Sequence, residues 1–130
     1  MTYQKPDHTS IKYVIFHNET VMLSKGSQRN ICILMRESDF SEKNLRRLQE
    51  IIKLKYSDQG WFLVAVYTNL DQIDSPNCSA ASESRRGSSV EKYPFAVLIK
   101  DGENELFRYR LPSENAFKTV IIKGSDALNR

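Results

Sequence analysis

The sequence predicts an α+β domain, a mixed β-sheet of about five or six strands packed by one principal amphipathic helix, with a three-layer α/β arrangement as the variant of that class. Three observations lead there. Two dense apolar runs, ICILMR at 31–36 and WFLVAVYT at 61–68, flank a single segment of helical periodicity. Two further β-type runs surround Asp101-Gly102. Between these halves, residues 69–92 form a long Ser-rich stretch without any sustained apolar period. At 130 residues the chain lies within the range of one domain, so residues 1–130 are read as a single unit.

The elements follow in chain order. Residues 1–10 are polar, contain Pro6 and read as a flexible arm. Residues 11–17, IKYVIFH, are rich in β-branched and aromatic side chains and predict a strand. Residues 20–23 then return as a short hairpin arm, and SKGSQRN at 24–30 reads as a polar break. The run at 31–36 is continuous rather than alternating, which suits a central strand covered on both faces.

Asp39-Phe40-Ser41-Glu42 fits a capping box, and Leu45, Leu48, Ile51, Ile52 and Tyr56 recur at helical spacing. That helix is expected to stop near Asp58-Gln59-Gly60, with Gly60 in the left-handed conformation. Strand, helix and strand in this order predict a parallel pair with a right-handed crossover. The Asp-Gly hairpin joins FAVLIK at 95–100 to ELFRYRL at 105–111, the second arm being a half-exposed outer strand with its aromatics inward and Arg108 and Arg110 in water. Residues 117–123, FKTVIIK, close the sheet.

Composition excludes several classes. The net charge of +3 is too small to imply nucleic acid without a concentrated basic face. Neither of the two cysteines belongs to a CxxC pair, so a disulfide framework and a zinc site are both disfavoured, and Cys32 is expected to act as a small buried hydrophobe. The glycines are scattered and form no phosphate-cradling motif. No serine lies in a nucleophile-elbow pattern, and His8 and His17 have no visible triad partners. No cofactor is implied. Without a charged-then-apolar leader or a long apolar run, the expectation is a cytoplasmic protein with no membrane partner. The sequons at Asn18-Glu19-Thr20 and Asn77-Cys78-Ser79 are then accidental.

Candidate site residues concentrate after the second apolar run. Asp71 and Asp74 follow a strand end, where open sheets place ligands, although aspartates there also make ordinary caps and turns. Arg85 and Arg86 join them as candidate ligand or partner contacts. Arg85-Arg86-Gly87-Ser88 matches the preference of basophilic kinases, making Ser88 a candidate phosphorylation site. On the helix, Lys43, Arg46, Arg47 and Lys53 form a basic face, for which a solvated surface is the simpler reading than phosphate binding.

From the first apolar run through the hairpin, the element order resembles that of the thioredoxin family, carried by Tyr93-Pro94-Phe95 and the following AVLIKDGENELFRYR. The resemblance implies a cis peptide before Pro94. Glu37-Ser38-Asp39-Phe40 stands where that family has its redox CxxC, and the chain closes on a strand rather than a helix. The implied scaffold is therefore noncatalytic, without disulfide exchange.

Together these features point to a noncatalytic protein-interaction or assembly domain, its partner or second copy engaged through an edge strand or the 69–92 loop. The alternatives are a small-molecule-binding protein or enzyme with its site between that loop and the sheet edge, and nucleic-acid binding by the basic helix face.

Overall fold

β-branched and aromatic residues make up more than half of three of the six stretches that pair into the sheet, 13–23, 61–67 and 118–123. The computed structural model describes residues 11–24, 26–56, 60–72, 93–112, 114 and 116–124. Its strands are β1 (Tyr13–Leu23), β2 (Gly26–Met35), β3 (Trp61–Tyr67), β4 (Phe95–Asp101), β5 (Asn104–Arg110) and β6 (Lys118–Lys123), and they lie side by side in sequence order. β2 and β3 are parallel, while every other neighbouring pair is antiparallel. The helix α1 (Glu42–Lys55) supplies the crossover that the parallel pair requires. Mixed sheet and one long helix agree with the class expected.

Three expectations are corrected, concerning the first hairpin, the ends of the helix and the exposure of the fifth strand. The first strand does not stop at His17. β1 runs on through Leu23, and β2 begins at Gly26, so the polar residues 26–30 belong to a ladder rather than a break. A hairpin partner satisfies the backbone of a segment whose side chains carry little β signal. Its turn is closed by Gly26 at φ 133°, where a Cβ would lie 2.8 Å from Cζ3 of Trp61. Only glycine accepts both that dihedral and that approach.

The helix is capped by Ser41, whose Oγ accepts from the Asn44 backbone N–H at 3.1 Å. Asp39 instead lies in a 3-10 turn, Glu37–Asp39, and holds Arg36 at 3.0 Å. At its other end α1 finishes at Lys55, with the Tyr56 N–H still bonded to Ile52 O, and Gly60 is not among the positive-φ glycines. Gly60 therefore does not provide the left-handed cap expected of it.

The third correction concerns β5. It is an interior strand between β4 and β6, and Arg110 is only 6% exposed, with its guanidinium 5.4 Å from the Phe117 ring. Arg108 is half-buried. The arginines thus do not stand in water, because β6 and Phe117 cover the side that alternation alone leaves open.

Both faces of the central strands are buried. Under α1, Leu45, Leu48 and Ile52 pack on Ile31, Ile33, Val64, Leu98 and Phe107. On the opposite face Cys32, Ala65, Tyr67, Phe95, Val97, Ile99 and Leu106 form a second cluster. Phe16, Tyr67, Phe95 and Phe117 run across that face as a chain of ring contacts with centroids 6.0, 5.1 and 6.1 Å apart. Cys32 is fully buried as expected, yet it is disulfide-bonded, which corrects the reading of it as a plain hydrophobe. Sequence spacing could not reveal the pairing because it carries no information on which distant segments meet. Cys78, the other cysteine of the chain, lies outside the described residues.

Candidate functional site

The ends of β3 and β4 are held by a buried amide. Thr68 and Gln72 follow β3, and Gln72 is 1% exposed. Its Oε1 accepts from the backbone N–H of Thr68 at 2.8 Å and of Asn69 at 2.9 Å. Its Nε2 donates to Pro94 O at 3.1 Å and Tyr93 O at 3.3 Å, and Thr68 Oγ1 also donates to Pro94 O. One side chain thereby pairs backbone groups from two strand ends that turn away from the ladder. The peptide before Pro94 is trans, in contrast to the expectation from the thioredoxin-like order.

Beside this clamp, a cleft of about 600 Å³ opens at the carboxyl ends of the parallel pair, the end of an open sheet where ligands characteristically bind. Leu34, Met35, Thr68 and Leu70 line it, with Tyr13 and Val14 from β1. Lys12 and Arg36 supply the charge, and Arg36 is engaged by both carboxylate oxygens of Asp39. Thr68 Oγ1 is spent on Pro94 O and Asn69 adds a polar group, so the lining is a largely apolar trough with a basic rim.

Of the carboxylates and cations expected at such a site, Asp71 falls within a 3-10 turn, Leu70–Gln72. Its side chain and the whole of Asp74, Arg85, Arg86 and Ser88 lie outside the described residues. Among the described residues, no group of three or more His, Cys, Asp or Glu side chains is arranged to hold a metal ion, and no helix is long and apolar enough to cross a membrane.

The basic helix face is on the exposed side of α1, but acids share it. Lys53 reaches the buried Glu105 carboxylate at 3.2 Å and Glu50 at 4.0 Å, and Arg46 lies 3.9 Å from Glu42. Lys43 and Arg47 are exposed positions. Two of the four cations are therefore partly neutralised on the spot, which works against a phosphate-tracking stripe.

The sheet's two outer strands differ sharply. β1 spans 11 residues and contains one acid, Glu19, and one base, His17, whose side chains are 3.6 Å apart. Val14 is 60% exposed and Met22 75%. A bulge at Phe16 interrupts its register with β2, where Ile15 faces Ile33 and His17 faces Cys32. β6 has only 6 residues and carries a lysine at each end, Lys118 and Lys123, both ion-paired to nearby glutamates at 3.4 Å. Among the described residues each of these strands has a ladder partner on one side only.

Comparison of the chain with protein-family models, curated proteins and solved structures finds no match. The sequence reading anticipated an exposed edge strand but not that β1 would be the long, weakly charged one. The scarcity of charge between Tyr13 and Leu23, with Glu19 the one acid and no lysine, is the available signal. The Gln72 clamp had no local signal, since its partners include backbone groups of residues far along the chain.

Proposed function

We propose that this protein is a noncatalytic protein-interaction domain that receives a strand from another polypeptide along β1. The observation carrying this reading is an 11-residue outer strand with Val14 and Met22 exposed and no lysine to discourage pairing. A row of free backbone donors and acceptors gives affinity in strand addition, and the exposed apolar side chains, Val14 on one face and Met22 on the other, give selectivity. The disulfide at Cys32 favours an oxidising compartment over the cytoplasm as the place of action, because such bonds persist where thiols are not kept reduced. Titrating isotope-labelled protein with short extended peptides, and varying its own concentration, is expected to move the amide signals of residues 13–23. A complete absence of concentration- or peptide-dependent change along β1 overturns the reading.

A second reading is favoured by the cleft near Thr68. Its apolar walls and the basic rim at Lys12 and Arg36 suit a small ligand with an apolar body and an acidic group. Saturable perturbation of Leu34, Met35 and Leu70 by a medium-chain carboxylate, with β1 unchanged beyond Val14, supports this alternative.

A further inference from the structure

We infer that the strand added to β1 is β1 of a second copy of this chain, antiparallel to the first and related to it by a two-fold axis at Asn18. This inference rests on the edge-pairing reading and names its partner. A two-fold axis perpendicular to a sheet keeps each face continuous across the interface, so residues equidistant from the axis must point to the same side.

Around Asn18 this condition is met and the chemistry is self-complementary. His17 of one copy faces Glu19 of the other, and the β2 register places both on one face, opposite Cys32 and Asn30. Beyond the bulge at Phe16 the partner register advances by one residue. Val21 then meets Val14 on that same face, while Thr20 meets Ile15 and Met22 meets Tyr13 on the other. The exposed Val14 and Met22 each acquire an apolar neighbour, the latter a thioether against an aromatic ring.

Neighbouring registers lack this match. An axis at His17 sets His17 against itself, and one at Glu19 sets two carboxylates face to face. An axis between residues opposes side chains that belong to different faces. Only the Asn18 register pairs the strand's acid with its base, and symmetry makes that pairing twice.

The test is sedimentation over a range of concentrations on the native chain, Glu19→Lys, His17→Glu and an equimolar mixture of the two variants. The native chain is expected to dimerise. Each single variant should associate about tenfold more weakly, since one sets His17 against a lysine and the other sets two acids together. The mixture should regain native association, because each mixed pair is again acid against base. Melting curves of the variants check that both remain folded, Glu19 being exposed and His17 half-buried, and Glu19→Lys, the exposed change, tests the register even where His17→Glu lowers stability.

A native chain that remains monomeric at every concentration overturns the second-copy inference, while the peptide titration along β1 still decides the edge-pairing reading. A dimer indifferent to both substitutions, or a mixture no tighter than its components, also overturns it.

Discussion

The two outer strands of the sheet bear the same liability and meet it differently. β6 is short, and the lysine at either end makes an approaching strand desolvate a charge before it can pair. β1 is nearly twice as long and offers Val14, Val21 and Met22 with one acid and one base between them. One edge left open while the opposite one is guarded is the contrast on which the proposed strand addition rests. The inner face of β1 is also well supported, since Arg29 of β2 stacks 4.4 Å from the Tyr56 ring and bonds Asn18, whose amide donates to the Tyr56 hydroxyl. The hairpin is thus tied to the end of α1, while among the described residues the outer side of β1 has no ladder partner.

The contrast can be broken most severely from behind β1. Cys32 stands directly opposite His17, and reducing its disulfide should cost about 2–4 kcal/mol, read as a fall in melting temperature of the reduced against the oxidised protein. An unchanged melting curve removes the disulfide from the account of that edge. Next in size, Gly26→Ala should destabilise the fold by about 1–3 kcal/mol in chemical denaturation, because a side chain there must leave its dihedral or displace Trp61. Faster hydrogen exchange confined to residues 13–23 and 26–30 would show the open edge depending on that turn.

Lys53→Met tests the support behind the guarded side. It leaves the Glu105 carboxylate, 4% exposed, without its cation, and should cost about 1–2 kcal/mol, the pair being partly screened at the lysine end. Met22→Lys, by contrast, should change stability by less than about 0.5 kcal/mol yet abolish concentration-dependent association, giving β1 the protection β6 already has. Persistence of association in that variant would erase the distinction between the edges.

The smallest effect sharpens the β6 side. Burial first, and then the hydrogen bond to Glu42, raise the pKa of Tyr109 above the usual phenol value. The unfolded chain ionises first as pH rises, so this contribution is fully present below about pH 10 and is lost as pH climbs through the folded value. Alkaline melts of Tyr109→Phe should lack this component.

Much of the architecture is legible from composition because burial selects side chains directly. The runs at 31–36 and 61–68 are central strands since only a doubly covered strand tolerates so many apolar residues in succession, and the hairpin at Asp101-Gly102 follows from turn chemistry, with Gly102 at φ 62°. The polar residues 26–30 were not legible as strand, because their place in the ladder depends on a partner rather than on themselves. Arg110 misled for the same reason: alternation fixes which side it points to, and only the arrival of β6 and Phe117 determines that this side is dry.

The candidate site divides in the same way. Sequence supplied an edge strand as the expected surface and Asp71, Arg46 and Lys53 as expected contacts, but it could not choose between edges or know that Lys53 is committed to Glu105. By itself, then, the sequence determined the class of fold, the principal helix and the buried strands, all set by the chemistry of contiguous residues. Tertiary structure alone decided strand order, the partners of Gln72, the disulfide bonding of Cys32 and the exposure of β1, because each depends on which distant segments come to lie side by side.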